Sequence, residues 1–266
     1  MKESELILTH ILNCNRSDLY LKDLSLDEEK INQLNLILLR RKYHHPLAYL
    51  LGEVEFMGLS FKIKEGVFIP RFETEILVET VIDLVKDSED LRFRNLKILD
   101  IGTGCGNIAV CLAKFLPNVR IIATDISAFA LDVARENAKR NKVEDRIEFI
   151  QADIFTYLLP TAYCLQDIIV SNPPYIPAKE IKNLQKEVQF EPCISIDGGD
   201  DGLDFYRRII HQAPNYLKKK GFLILEMGFE QCEGIEEIFK LSKRFEILNV
   251  VKDYNNIDRV IVARYG

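Results

Sequence analysis

Long apolar runs are absent from this chain of 266 residues, and their absence excludes a membrane-spanning helix. Uninterrupted apolar stretches, such as Leu36 to Leu39, are far shorter than the roughly 18 residues that a spanning helix requires. The first residues, Met1 to Glu5, carry acids where a secretory signal is basic. We therefore expect a soluble, cytoplasmic protein without membrane contact.

The chain also lacks an excess of positive charge, because it contains 35 Lys and Arg residues and 41 Asp and Glu residues, which gives a formal net charge of −6. Proteins that follow many phosphates carry a basic stripe, since their affinity comes from counterion release. Only two short basic clusters occur, Arg40-Arg41-Lys42 and Lys218-Lys219-Lys220, and both are typical of helix ends. Extended binding to DNA or RNA is therefore not expected.

The cysteines and histidines lack the spacing of a metal site. The six cysteines include no C-x-x-C pair, and the four histidines are scattered along the chain. Structural zinc sites are built from such closely spaced pairs, and disulfide frameworks belong to oxidising compartments. The sequence therefore predicts free thiols in a reducing compartment, and no metal.

Hydrophobic periodicity predicts a small helical domain over residues 1–52. Apolar residues from Glu5 to Tyr49 recur at helical spacing. Ser25, with Glu28 three positions later, has the form of a helix-capping pair. Two short alternating runs around Gly58 then predict a β-hairpin, which makes residues 53–70 a linker between domains.

The remaining residues, 71–266, are predicted to form an α/β domain that starts with a helix from Thr74 to Lys86. Apolar strands then alternate with helices, and this order indicates a doubly wound, mostly parallel sheet of seven strands. The last two strands are joined by a loop too short for a crossover, so they should be antiparallel neighbours. The predicted strands are Lys97–Ile101, Arg120–Thr124, Ile147–Gln151, Asp167–Ser171, Gly221–Glu226, Phe245–Val251 and Arg259–Ala263, and the main helices are Asn107–Phe115, Ala128–Asn141 and Leu203–Lys218.

A glycine-rich loop, Gly102-Thr103-Gly104-Cys105-Gly106, follows the first predicted strand and leads into a helix. Ligands of open α/β sheets bind beyond the carboxyl ends of the strands, and glycine lets the backbone approach them closely. The spacing G-x-G-x-G lacks the third glycine of the dinucleotide fingerprint, which disfavours a nicotinamide cofactor. A tight turn without a ligand is the alternative interpretation.

Aspartates follow the next two strands and favour a nucleoside ligand. Asp125 ends the second strand, where a carboxylate can accept both ribose hydroxyls. Asp153 follows the third strand, where it could accept from an adenine amino group, with Ile154 and Phe155 beside the base. Either aspartate alone could be a helix cap or turn former, but two at successive strand ends point to a binding site.

The segment Asn172-Pro173-Pro174-Tyr175, directly after the fourth strand, is the most informative in the chain. Its prolines have no backbone N–H, so the segment presents hydrogen-bond acceptors. The Asn172 carboxamide oxygen and the Pro173 carbonyl can both accept from one planar NH₂ group, and Tyr175 offers that group a flat surface. Such a pair orients a weakly nucleophilic nitrogen and stabilises the positive charge that grows on it during methylation.

These motifs make the chain, from about Pro46 to Tyr265, resemble the release-factor glutamine methyltransferase family (PrmC, also called HemK). The glycine loop and the Asn172–Tyr175 segment are shared with other methyltransferases. Two further stretches are more particular to the family, Ile69-Pro70-Arg71-Phe72-Glu73-Thr74-Glu75 and the segment from Gly198 to Tyr206.

The resemblance implies a Rossmann-like class I methyltransferase fold and transfer of a methyl group from S-adenosylmethionine to the glutamine amide nitrogen (N5) of the Gly-Gly-Gln motif in peptide-chain release factors. It implies that the N-terminal helical domain docks the release factor, and we expect a monomer. Asn172 to Tyr175 would hold the glutamine, with Asn172, Pro173 and Tyr175 as the catalytic positions. The implied cofactor-binding residues are Gly102, Thr103, Gly104, Cys105, Gly106, Asp125, Ile154 and Asn172.

Other functions are disfavoured by specific features. Methylation of an exocyclic amine on adenine or guanine in nucleic acid would use the same acceptor pair, but it also requires base flipping and phosphate contacts. A scaffold that binds the cofactor without catalysis would not need two aligned acceptors. For Arg71, Glu73 and Glu75, a lid over the cofactor and a simple helix start are both open interpretations.

Overall fold

A computed structural model of the protein describes residues 2–88, 91, 95–156, 158 and 165–266. Its N-terminal helices pack around a small apolar centre of their own. Ile7, Ile11 and Ile37 are buried in this centre. The helices are α1 (Glu3–Leu12), α2 (Asp18–Leu21), α3 (Glu28–Lys42) and α4 (Leu47–Leu51).

The predicted helix cap at Ser25 is wrong. Helix α3 begins at Glu28, and its N-cap is Asp27, whose carboxylate accepts from the backbone N–H of Lys30 at 2.9 Å. A capping side chain must lie directly before the first helical residue, because it bonds the free N–H groups of the first turn. Asp27 is in that position, whereas Ser25 lies two residues too early.

The predicted hairpin is present as strands β1 (Glu53–Phe56) and β2 (Leu59–Lys62), which pair in antiparallel fashion. The two turn residues, Met57 and Gly58, have φ values of 52° and 70°. Positive φ at both central residues is typical of a type I′ turn, whose backbone twist matches the twist of the two strands that it connects.

The α/β part of the chain contains every predicted strand. Each lies within a few residues of its predicted bounds. The central strands β3 and β6 are buried along nearly their whole length, and such continuous apolar runs are easily recognised in a sequence. The elements are α5 (Glu73–Asp87), β3 (Leu96–Ile101), α6 (Asn107–Phe115), β4 (Val119–Asp125), α7 (Ala128–Arg140), β5 (Ile147–Gln151), β6 (Gln166–Ser171), α8 (Asp204–Gln212), β7 (Leu217–Glu226), α9 (Cys232–Ser242), β8 (Phe245–Lys252) and β9 (Asp258–Tyr265).

The sheet has seven strands in the order β5-β4-β3-β6-β7-β9-β8. Strand β9 is antiparallel to both of its neighbours, and the other pairs are parallel. This confirms the predicted doubly wound sheet and its antiparallel last pair. The chain order changes direction between β3 and β6, and the carboxyl ends of these two strands mark the place where such sheets bind ligands.

Both faces of the sheet are apolar and covered by helices. Ile98 of β3 belongs to the cluster that includes residues of α5, α6 and α7. Its neighbour Leu99 belongs to the opposite cluster, with residues of α8 and α9. Adjacent strand residues point to opposite faces, so a run of apolar residues here fills two cores at once.

The predicted helix Leu203–Lys218 is too long. Helix α8 ends at Gln212, a 3-10 turn follows over Ala213–Asn215, and β7 already begins at Leu217. Pro214 has no backbone N–H and cannot continue a helix. The basic cluster at residues 218–220 therefore lies in a strand and not at a helix end, whereas Arg40-Arg41-Lys42 does end α3 as predicted.

Candidate active site

A cavity of about 520 Å³ opens at the carboxyl ends of β3, β4 and β6. Its volume is in the range of small-molecule sites, and its place is the one expected for a doubly wound sheet. All the predicted site residues except Gly106 line it: Gly102, Thr103, Gly104, Cys105, Asp125, Ile154, Asn172, Pro173, Pro174 and Tyr175. The fold therefore brings together residues as far apart in the sequence as Gly102 and Tyr175, which are 73 positions apart.

The glycine loop presents open backbone to this cavity. Gly102 and Gly104 have φ values of 71° and 56°, and a Cβ built on either would meet no described atom within 4 Å. A side chain there would be strained by the left-handed backbone and would project into space that a ligand can use.

Gly106 is not among the residues that line the cavity, and it allows two helices to pack closely. Its φ is 84°, and an added Cβ would lie 3.0 Å from the Cβ and 3.2 Å from the Cα of Ala134 in α7. The absence of a side chain therefore lets the start of α6 approach α7 closely. Its predicted role as a cofactor contact stays a prediction.

We expect Gly106→Ala to lower the free energy of unfolding by about 1–3 kcal/mol more than Gly58→Ala, measured by urea denaturation. Both substitutions place alanine in a left-handed conformation, at a cost of roughly 1–2 kcal/mol each. A Cβ at Gly58 meets no described atom within 4 Å, so the difference isolates the contact with Ala134. Equal losses in the two variants would contradict this role for Gly106.

Asp125 holds the glycine loop and keeps acceptor capacity for a ligand. Its Oδ2 accepts from the N–H of Gly104 at 2.8 Å, and its Oδ1 accepts from the N–H of Ser127 at 2.9 Å. A carboxylate has about four acceptor sites, so these two bonds leave acceptor capacity for hydroxyl groups. Burial raises the pKa of Asp125, and the backbone N–H groups oppose that shift.

Asp153 and Ile154 lie at the cavity wall, but Phe155 does not. Asp153 Oδ2 accepts from Arg208 Nη2 at 2.6 Å. Ile154 is only 5% exposed and has a φ of 58°, which is rare for a β-branched residue and typical of functional sites. Phe155 is not among the residues lining the cavity, because it packs in the core and stacks on Tyr216 at 4.4 Å between ring centroids.

The side chain of Asn172 is oriented by a contact from helix α5. Its Nδ2 donates to Thr74 Oγ1 at 3.1 Å. Because the nitrogen end of the carboxamide is engaged there, Oδ1 is the end left for a ligand. Pro173 and Pro174, which follow, have no backbone N–H, so the predicted acceptor character of this segment is retained.

The Gly198–Gly202 loop packs closely against the backbone of Tyr175. A Cβ on Gly198 would lie 2.7 Å from Tyr175 Cα, and one on Gly202 would lie 2.4 Å from the Tyr175 carbonyl oxygen. Gln231 Nε2 donates to that same oxygen at 2.9 Å. These glycines therefore allow backbones to pack closely, and they shape the loop beneath the acceptor segment.

The three charged residues near the start of α5 have different surroundings. Glu73 and Glu75 lie in the first turn of the helix, where acids favour the helix dipole. Glu75 Oε1 also accepts from the N–H of Met57 in the hairpin at 2.7 Å. Only Arg71 lines the cavity, where it pairs with the buried carboxylate of Glu191.

Buried polar residues next to the cavity were missed by sequence reasoning. Thr74 and Glu226 are each 1% exposed. Burial raises the pKa of Glu226 to about 7, while the Thr74 hydroxyl and Arg259 lower it. The sequence pattern that could have indicated Glu226 is its position as an acidic residue at the end of the apolar strand β7, directly after Leu225.

A metal centre and a membrane span were both expected to be absent. Within the described ranges, no three His, Cys, Asp or Glu side chains are close enough together to hold a metal ion, and the expectation of no metal stays a prediction. Among those same residues, no helix combines the length and apolar character needed to cross a membrane.

Known proteins resemble this chain along nearly its whole length. Residues 1–52 match the PrmC N-terminal domain, and residues 61–189 match the methyltransferase small domain. The release factor glutamine methyltransferase of Fusobacterium nucleatum is 40% identical over 265 residues, covering 98% of this chain and 72% of that protein. The enzyme of the same name from Geobacter sulfurreducens is 37% identical over 266 residues, covering 99% and 89%.

A solved structure supports the fold independently. A methyltransferase from Pyrococcus furiosus superposes with a TM-score of 0.58 over 88% of this chain and 99% of that one, at 17% sequence identity. Such a distant likeness shows the fold alone, and it confirms the predicted methyltransferase architecture. Together with the two curated relatives, whose alignments cover 98% and 99% of this chain, these matches place the chain in the release factor glutamine methyltransferase family.

Proposed function

We propose that this protein transfers a methyl group from S-adenosylmethionine to the side-chain amide nitrogen of the glutamine in the Gly-Gly-Gln motif of peptide-chain release factors. The observation that carries the proposal is the orientation of Asn172. Its amide nitrogen is held by Thr74, which leaves its oxygen as the end available to a ligand in a cavity that Pro173 and the glycine loop also line.

The residues at one end of the cavity suit a nucleoside cofactor. Gly102 and Gly104 leave open space beside their backbone, and the Asp125 carboxylate has acceptor capacity for ribose hydroxyls. Ile154 supplies an apolar wall on the side where the base would lie. S-adenosylmethionine, when bound, supplies a methyl group activated by a positively charged sulfur.

The acceptor pair at the other end suits a primary amide. The lone pair of an amide nitrogen is delocalised, so the nitrogen is a poor nucleophile. The Asn172 oxygen and the Pro173 carbonyl would accept its two N–H groups, fixing its orientation and stabilising the positive charge that grows as the new N–C bond forms. Tyr175, which also lines the cavity, would lie against the planar amide.

Residues 1–52 are proposed to dock the release factor beside the cavity. Arg41 Nη2 donates to Glu187 Oε1 at 3.0 Å, and the rings of His45 and Phe190 lie 4.3 Å apart. Both contacts reach the segment that includes Val188, which lines the cavity. A protein bound to the helices would therefore lie next to the cavity opening. We propose that the enzyme acts as a cytoplasmic monomer.

A methyl-transfer assay with several acceptors tests this function. The protein is incubated with methyl-labelled S-adenosylmethionine and, separately, with a purified release factor, duplex DNA and ribosomal RNA. We expect label in the release factor alone, and peptide mass spectrometry should place it on the Gly-Gly-Gln glutamine. A release factor whose motif glutamine is replaced by glutamate is the matched control and should stay unlabelled. Label in either nucleic acid and not in the release factor would overturn the proposal.

A further inference from the structure

Thr74 lies between two polar side chains that follow or end different strands of the sheet, the half-buried Asn172 and the buried Glu226. Its Oγ1 accepts from Asn172 Nδ2 at 3.1 Å. Its hydroxyl also interacts with the Glu226 carboxylate, and this interaction lowers the pKa of Glu226. Asn172 follows β6, Glu226 ends β7, and Thr74 lies in the first turn of α5, so the fold brings three elements to one point.

The chemistry of these groups gives the chain of hydrogen bonds one direction. An ionised carboxylate can only accept, so the Thr74 hydroxyl donates its hydrogen to Glu226. The threonine oxygen is then left with lone pairs alone, and the group that fits it is an N–H donor. The Nδ2 end of Asn172 is such a donor, whereas its Oδ1 end is not.

A flipped Asn172 carboxamide would lose both partners in this arrangement. Its Oδ1 would face the lone pairs of Thr74 Oγ1, which has no second hydrogen to offer. Thr74 is 1% exposed, so water cannot easily replace the missing bond, and an unpaired buried polar group is destabilising. The nitrogen end would at the same time point toward the substrate and present donors to an NH₂ group that needs acceptors.

We propose that Thr74 is a positioning residue that sets which end of the Asn172 carboxamide faces the substrate. The inference rests on the proposed methylation of a glutamine amide, and it assigns a function to a residue that lines the cavity and acts through Asn172. Glu226 supports it by taking the threonine hydrogen. One oxygen of that carboxylate, Oε2, is buried and has no hydrogen-bond partner among the described residues, so the carboxylate has acceptor capacity for the threonine hydrogen.

Two variants separate positioning from packing. Thr74→Val preserves the shape of the side chain but removes the hydroxyl, and Thr74→Ser preserves the hydroxyl but removes the methyl group. With a release factor as substrate at about pH 8, above the pKa of about 7 for Glu226, we expect Thr74→Val to lower kcat by about 10- to 100-fold. KM and the Kd for S-adenosylmethionine should change by less than about threefold. Thr74→Ser should keep kcat within about threefold of the unsubstituted enzyme.

A double-mutant cycle with Asn172→Ala asks whether Thr74 acts through Asn172. If it does, Thr74→Val should have almost no further effect on kcat once the asparagine side chain is gone. A packing defect would instead lower kcat by the same factor in both backgrounds. Thermal unfolding of each variant reports folding separately.

The outcomes distinguish the inference from the function on which it rests. If the unsubstituted enzyme methylates the release factor but Thr74→Val does so equally well, or if the cycle is additive, the positioning role is overturned. If the unsubstituted enzyme does not methylate the release factor, the proposed function itself has failed. Selective loss of kcat in Thr74→Val, with rescue by Thr74→Ser and a non-additive cycle, supports both.

Discussion

Asn172→Ala is expected to lower kcat for methyl transfer by about 10²- to 10³-fold, the size of effect seen when one group that stabilises a transition state is removed. The alanine variant loses the acceptor that would orient the amide nitrogen and respond to its growing charge. The cofactor would still contact the glycine loop and Asp125, so the Kd for S-adenosylmethionine should change far less than kcat.

The measurement pairs a steady-state rate assay with a calorimetric titration of S-adenosylmethionine. Asn255→Ala is the control, because Asn255 is an exposed asparagine on the loop between β8 and β9, remote in sequence from the acceptor segment. It should leave both kcat and Kd unchanged. An Asn172→Ala enzyme with undiminished kcat would exclude the two-acceptor mechanism.

Asp125→Ala is expected to weaken the binding of S-adenosylmethionine by about 1–3 kcal/mol, as removal of a half-buried, hydrogen-bonding carboxylate should. Every 1.4 kcal/mol corresponds to about tenfold in Kd. The substitution removes the acceptors for ribose hydroxyls and also frees the N–H groups of Gly104 and Ser127. Both effects act on cofactor affinity, since the glycine loop loses its link to the end of β4.

Isothermal titration calorimetry measures this loss, and Asp132→Ala provides the matched control. Asp132 is a highly exposed aspartate of α7 that pairs with Arg135, and such surface pairs contribute little. We expect the control to bind S-adenosylmethionine as the unsubstituted protein does. Unchanged affinity in Asp125→Ala would reject the ribose assignment.

The strands and the glycine loop could be predicted from the sequence because their signals are local. Strand β5 is observed at Ile147–Gln151, with the predicted bounds, and α6 at Asn107–Phe115 likewise. A buried strand needs only a short apolar run with polar residues or glycine at its ends. Once the alternation of strands and helices indicated a doubly wound sheet, the meeting of the strand ends at one cavity followed from topology.

The sequence-based predictions failed where a structure depends on contacts between residues distant in sequence, or where two neighbouring sequence patterns favour different structures. Pro214 ends a helix that periodicity alone extended to Lys218. Gly106 is needed because of Ala134, a residue of another helix, which no local pattern reveals. Thr74 reads in the sequence as an ordinary residue in a helical first turn, and only the fold shows that it contacts Asn172, 98 positions later.

The central claim is that the Asn172 oxygen and the Pro173 carbonyl receive both N–H groups of a glutamine amide. A crystal structure of the protein with S-adenosylhomocysteine and a peptide that contains Gly-Gly-Gln tests it most directly. The account predicts both oxygens within hydrogen-bond distance of the glutamine nitrogen, with Asn172 Nδ2 still on Thr74. A glutamine amide bound elsewhere, or an Asn172 that turns its nitrogen toward the peptide, would contradict it.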